Sequence, residues 1–194
     1  MAISYPLALP THTGFSDVEL RAKNAVAYSR SPFTFAGQAF AYSGQMWQAD
    51  ITLPPMRRSD AEQWIAWLVS LRGQLGTFLL GDKISCETRG TATSATISGS
   101  AGDNSVTVVM TGTLLAGDYL QLGTNGSATL HKVLQDQDGN GTLEIWPAIR
   151  TNQSTSSATL SSAQGLFMLS TNEQSWSISN AAVYGISFSA MERV

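Results

Sequence analysis

Residues 45–68, QMWQADITLPPMRRSDAEQWIAWL, decide the fold of this chain. The first nine alternate. Trp47, Ala49, Ile51 and Leu53 point one way, while Met46, Gln48, Asp50 and Thr52 point the other, which predicts a half-buried β-strand over Gln45–Leu53. Pro54-Pro55 then stops pairing, because neither residue can donate to a β-ladder. The spacing that follows predicts the chain's one clear helix, from Asp60 to about Arg72. Ser59 is placed as its N-cap, and Glu62 three residues later completes a capping box. Ala61, Trp64, Ile65 and Leu68 repeat on one helical face, and Gly73 marks the C-terminal stop. Trp67 and Leu71 widen the apolar stripe beyond one packing face, so the helix is expected to touch its own sheet and something else.

On the N-terminal side, residues 1–58 read as β-rich and hairpin-like. NAVAYSRSPFTFAGQAFAYSG (24–44) carries aromatic and β-branched residues broken by the turn signals Ser31-Pro32, Gly37 and Ser43-Gly44. On the C-terminal side, Gly76–Asp82 reads as a short strand ending in a turn. Composition then shifts. Between Ser85 and Gln164, 33 of 80 positions are Ser, Thr or Gly, and the aromatics shrink to Tyr119 and Trp146. Strand candidates recur there at the spacing of a small sandwich or barrel: Thr93–Ile97, Ser105–Met110, Asp118–Leu122, Ala128–Gln135 and Thr142–Trp146. Past the Ser/Thr tract Thr151–Ser162 the aromatic character returns. Leu166–Leu169, Ser175–Ile178 and Val183–Met191 read as strands, the last setting Tyr184, Ile186, Phe188 and Ala190 against Val183, Gly185, Ser187 and Ser189. The fold class expected is mainly β: a β-sandwich with one flanking α-helix, interrupted by a small all-β domain, barrel or sandwich. Residues 1–83 and 165–194 form the outer domain and 84–164 the insert, a surface insertion of the kind that costs little closure entropy.

The composition bounds the function. The 194 residues include 11 Lys or Arg against 14 Asp or Glu, a formal charge of −3, and only 13% are charged. A mildly acidic chain lacks the clustered cations a polyanion binder requires. Abundant Ser, Thr, Asn and Gln suit large, partly wet protein–protein contacts. One cysteine, Cys86, excludes an intrachain disulfide and a multi-thiolate metal site. No apolar run reaches the 18 residues of a membrane span, and the N-terminus shows no secretory pattern, so a soluble protein made in a reducing compartment is expected.

Chemistry is hard to assemble. Asp136-Gln-Asp-Gly-Asn-Gly141 opens like a calcium loop, but Pro147 stands where the bidentate Glu belongs, and Asp-Gly and Asn-Gly favour a hairpin turn. His12 and His131 are the only histidines, and with Cys86 between them they do not read as a zinc site. His131 falls mid-strand, where an exposed or hydrogen-bonded imidazole is the ordinary reading. There is no nucleophile elbow, no phosphate-binding loop and no glycosidase-like carboxylate pair. No catalytic, cofactor or metal residue is nominated, and the chain is read as a non-enzyme without cofactors.

The ordered set PP-x-R-R-S-x-A-E-x-W-x-x-W-L (Pro54–Leu68), G-x-x-G-x-F-L-L-G-D (Gly73–Asp82), LLAGDYLQLG (114–123), LEIWPAIR (143–150) and VYGISFSAME (183–192) resembles the distal tail and minor tail proteins of long, flexible-tailed bacteriophages. That resemblance implies a tail-tube-like fold whose outer domain forms a ring, six copies around, at the tail tip. The ring would sit between the tail tube protein and the hub or fibre proteins that recognise the host. DNA would only pass through its lumen. The inserted domain would decorate the outside, and the protein would belong to the virion after assembly in the host cytoplasm, without membrane insertion. Trp67, Leu71, Arg57 and Arg58 are the subunit-interface candidates, together with the strand edges of the two termini. Against this, Trp64 and Trp67 could both simply be core, and Arg57 and Arg58, with Arg72, a solvated basic spot. The alternative function is a carbohydrate-binding module in which the insert holds a host glycan on exposed aromatics.

Overall fold

The computed structural model describes residues 3–11, 14–82 and 87–194. His12, Cys86 and the expected domain boundary at residues 83–84 lie outside the described residues. The chain runs β1 (Asp17–Arg30), β2 (Gly37–Thr52), β3 (Met56–Arg57), α1 (Arg58–Ser70) and β4 (Thr77–Leu80). It continues through β5 (Ala95–Gly99), β6 (Ser105–Met110), β7 (Thr113–Leu114), β8 (Tyr119–Leu122), β9 (Thr129–Val133), β10 (Gln137–Asp138), β11 (Gly141–Trp146) and β12 (Gln153–Ala158). It ends with β13 (Gly165–Leu169), β14 (Trp176–Ile178) and β15 (Val183–Glu192). The fold is mainly β, and α1 is the one α-helix among the described residues.

Both ends of the chain build one sheet. Its order is β1-β2-β15-β13-β4, with β14 and β3 pairing to the first part of β15. The last strand therefore lies beside the second, with Phe188 opposite Ile51 and Ala190 opposite Ala49. The two alternating patterns read from the sequence share one buried face: Trp47, Ala49, Ile51 and Leu53 on the first, Tyr184, Ile186, Phe188 and Ala190 on the second. Pro54-Pro55 interrupts the ladder only briefly, because Met56 and Arg57 resume pairing with Tyr184 and Val183.

α1 covers that face. Trp64 and Trp67 meet edge to face at 5.6 Å, and Trp67 stacks on Phe78 at 5.0 Å and Phe188 at 5.7 Å. The helix begins earlier than Ser59. Arg57, in extended backbone, is the N-cap residue and supplies no side-chain cap. Ser59 Oγ instead reaches Asp60, and Glu62 pairs with Arg58 one turn back at 3.3 Å rather than closing a capping box. An i,i+4 ion pair takes the carboxylate that a capping box would use.

Residues 95–158 form a separate six-stranded sheet, order β12-β5-β6-β11-β9-β8. Gln121 and Thr159 exchange two backbone hydrogen bonds, which nearly closes this sheet into a barrel around its own apolar cluster of Ile97, Val106, Val108, Leu120, Leu143 and Ile145. The Ser/Thr tract 151–162, for which the sequence offers no strand candidate, contains strand β12. Its pairing with β5 is held partly by hydroxyls, such as Ser98 Oγ accepting from Thr155 N–H at 2.9 Å, so no apolar alternation announces it. Within Asp136–Gly141, Gln137–Asp138 forms β10 against β7 and residues 139–140 bend the chain into β11, with side chains serving the backbone. Asp136 accepts from Ala116 N–H at 2.7 Å and Asn140 from Met110 N–H at 2.9 Å, while Gly139 takes positive φ.

The barrel and the main sheet share a seam. Leu130, from the insert, is buried in the aromatic cluster of the main sheet, and Trp47 Nε1 donates to the Leu130 carbonyl at 2.8 Å.

Candidate subunit interface

β1 and β2 form one antiparallel hairpin, but the sheet accompanies it only part of the way. β15 pairs with β2 from Thr52 to Gln48 and stops. Beyond Gln48, the outer edge of β2 has no strand partner among the described residues, and the outer edge of β1 has none along its length. Residues 26–41 therefore leave the domain as a two-stranded ribbon. A register break marks its start: Asn24 pairs with Gln45, and the next pair outward is Val26 with Ala41.

Apolar side chains stand on both faces of this ribbon. Val26 and Tyr28, with partners Ala41 and Ala39, share one face, and Phe40 with Ala27 occupies the other. Tyr28, Phe40 and Tyr42 are all exposed, and Phe33 at the tip is 92% exposed. No single interior can bury both faces. An isolated two-stranded hairpin is also marginally stable in water.

The tip is nonetheless ordered by its own bonds. Ser31 N–H donates to Ala36 O at 2.9 Å, Phe35 N–H to Ser31 O at 3.0 Å, and Arg30 lies 4.6 Å over the Phe35 ring. The outer end of the exposed Tyr28 ring lies against Gly37. Arg30 is the sole charge between Val26 and Tyr42, and its engagement with Phe35 leaves the surface neutral and aromatic.

The sequence-based interface residues fall elsewhere. Trp67 is 7% exposed and Leu71 fully buried, so neither offers a surface to a sister copy. Trp67 lies against Phe78 and Phe188 of the chain's own sheet, and the N-terminal segment packs on the same core. Tyr5, Leu7, Leu9 and Phe15 pack on the core, Tyr5 Oη donates to Ser70 O at 2.7 Å, and Leu7 bridges to Phe78. Arg57 and Arg58 are exposed at the helix start, far along the fold from the ribbon, with Arg58 paired to Glu62. The aromatics of the ribbon were missed as a site. Their signal was present: Tyr28, Phe33, Phe35, Phe40 and Tyr42 crowd 15 residues without the one-sided alternation that Trp47–Leu53 shows.

Tyr119 and Trp146, the insert's two aromatics, are spent at the seam. Trp146 meets Trp47 edge-on at 4.6 Å and donates to Asn24 Oδ1 at 2.7 Å. Tyr119 packs 6.0 Å from Trp47 beneath Lys132. Neither stands as an open platform for a sugar ring.

Three buried ionisable groups shape the electrostatics. Burial pushes Glu192 up, and the Arg150 guanidinium at 2.9 Å with the Trp47 N–H at 3.0 Å only partly opposes that. Burial also drives His131 down to about 4, against the Pro147 carbonyl that favours its protonated form and with the Arg150 charge adding to the depression. For Asp118 burial acts upward, but donors from Leu115, Arg89 and Gly90 and the Arg89 charge outweigh it and hold the carboxyl below its usual range. Asp118 thereby fastens the start of the insert, residues 89–90, to the turn before β8. Among the described residues, no group of three or more His, Cys, Asp or Glu side chains is placed to hold a metal ion.

A scan against models of known protein families finds no match to this chain. A search of the curated proteins finds no similar sequence.

Proposed function

We propose that this chain is a structural ring protein of a phage tail tip, and that the β1–β2 ribbon is the element through which copies join. The observation that carries the reading is a ribbon with two unpaired edges and aromatic side chains on both faces. In a head-to-tail ring every ribbon points the same way, so β1 of one copy runs opposite to β2 of the next. The two free edges then complete an antiparallel ladder, and each subunit uses two different edges, as a closed heterologous ring requires. Burying the ribbon's exposed aromatics adds on the order of 2 kcal/mol for each side chain taken out of water. The resemblance of the ordered motifs to distal and minor tail proteins supplies the setting: a ring of about six copies between the tail tube protein and the hub, with DNA passing through the lumen. The near absence of charge on the ribbon suits strand addition without buried unpaired ions.

Native mass spectrometry at micromolar concentration tests the association, with a discrete closed oligomer expected. Antibody-labelled virions in negative stain test the location, with label at the distal end of the tail. A strict monomer overturns the self-association, and unlabelled virions overturn the tail-tip assignment.

A further inference from the structure

Resting on the reading of the ribbon as the assembling element, we propose that the inserted barrel serves as the clamp that sets the direction in which the ribbon leaves the sheet. The last regular cross-strand pair before the register break is Asn24 with Gln45. The barrel holds both members. Trp146 Nε1 donates to Asn24 Oδ1 at 2.7 Å, on β1. On β2, Gln45 Oε1 accepts from Ala148 N–H at 2.7 Å and Asn104 Nδ2 at 3.3 Å, and the Gln45 carbonyl accepts from Arg150 Nη2. Two residues further in, where β15 no longer reaches β2 as a strand, the Glu192 carboxylate takes the Trp47 N–H, and Arg150 holds that carboxylate.

The network is an inefficient source of stability. Arg150 Nε and Glu192 Oε1 are buried without partners, and a buried ion pair with unsatisfied atoms gains little over an apolar pair of similar volume. What it supplies is direction. Hydrogen bonds to a backbone carbonyl, a backbone N–H and two side-chain amides admit one orientation of the strand pair, whereas apolar contact admits many. Six copies can close a ring only if all ribbons depart at the same angle, and the clamp sits at the point where that angle is fixed.

The test pairs Arg150→Met with Glu192→Leu, which keeps the apolar bulk but removes the donor to Gln45 O and the acceptor for Trp47 N–H together with the ion pair. Spin labels at Ser29→Cys and Thr107→Cys, in a Cys86→Ser background and diluted with unlabelled chain, report the ribbon-to-barrel distance. The parent gives one narrow distance distribution. The double variant at least doubles its width and weakens assembly tenfold or more. Val109→Thr, at an exposed position of β6 in the barrel that takes no part in the clamp, changes neither. If the double variant does not fold, Trp146→Phe, which loses the bond to Asn24 and trims the contact with Trp47, broadens the same distribution to a lesser degree. An unchanged distribution in a folded clamp variant overturns the proposal. A distribution that broadens in a chain that never assembles upholds the clamp and removes the ring reading instead.

Discussion

Acidification tests the seam between barrel and sheet through His131. The imidazole is fully buried, with Nδ1 2.7 Å from the Pro147 carbonyl and Nε2 2.9 Å from Thr129 Oγ1. A carbonyl can only accept, so Nδ1 carries the proton, and the neutral ring takes the Thr129 hydroxyl proton on Nε2. In the fold its pKa is lowered from 6.5 to about 4. The unfolded chain therefore binds a proton that the native chain refuses throughout that interval. Stability is full above pH 6.5, falls as pH drops, and levels off below about 4. A gap of about 2.5 units at ~1.4 kcal/mol per unit gives a loss on the order of 3 kcal/mol. Glu192 acts with the opposite sign: its raised pKa lets the native state hold a proton above the ordinary carboxylate range, so acid favours the fold there. Comparing the parent with His131→Asn, which keeps a donor toward Pro147, cancels Glu192 and the other carboxylates. Both proteins should carry His12→Gln, since His12 is the only other histidine. Urea unfolding followed by tryptophan fluorescence at pH 7.5, 6.5, 5.5 and 4.5 should show the parent losing about 2–3 kcal/mol more than the variant across the series. Equal pH slopes in the two proteins would refute the reasoning, because His131 would then be as easily protonated in the fold as outside it.

The remaining expectations concern the core and the ribbon. Trp67→Ala should cost about 3–5 kcal/mol in urea unfolding, and Leu71→Ala about 2–5 kcal/mol, because both side chains fill the space between α1 and its neighbours. Phe40→Ser with Tyr42→Ser should shift unfolding by less than ~1 kcal/mol, since both side chains are exposed, yet abolish assembly in sedimentation velocity. Trp47→Phe removes the donor to Leu130 O and should lower stability by about 1–3 kcal/mol, with near-UV circular dichroism reporting the loosened seam.

The main sheet was legible wherever one face is apolar and the other polar. Trp47–Leu53 and Tyr184–Ala190 announce a strand and a buried face at once, and the structure lays those two segments side by side. Where another force holds the backbone, the pattern falls silent. β12 is Ser- and Thr-rich, with no apolar face to betray it, and draws its order from the adjacent strand and a hydroxyl acceptor. The helix start was misplaced because Ser59 and Glu62 offered a capping box that the Arg58–Glu62 pair displaces. Trp67 and Leu71 read as surplus to one packing face, yet both are buried within the chain, Trp67 against Phe78 and Phe188 of its own sheet. The turn of the helix that follows is also tied down from a distance, by Tyr5 through Ser70 O, and local periodicity carries no information about a segment more than 60 residues away in sequence.

The same reasoning separates the helix surplus from the ribbon surplus. A helix lying on a sheet has a second flank that a passing segment can close, and Tyr5, Leu7, Leu9 and Phe15 pack on that core from within the chain. A two-stranded ribbon has two faces and two edges. The chain's N-terminal segment is committed to α1 and β4, its C-terminal strand ends beside Gln48, and its barrel reaches only as far as Asn24 and Gln45. Among the described residues, every element that could cover Tyr28, Phe40 or Tyr42 from within is already placed, yet the tip is braced by its own hydrogen bonds. A surface organised before it meets anything loses little further conformational entropy when a partner arrives. The free edges of the ribbon are of opposite direction, which is the ground for proposing another copy of the same ribbon as the partner that satisfies both.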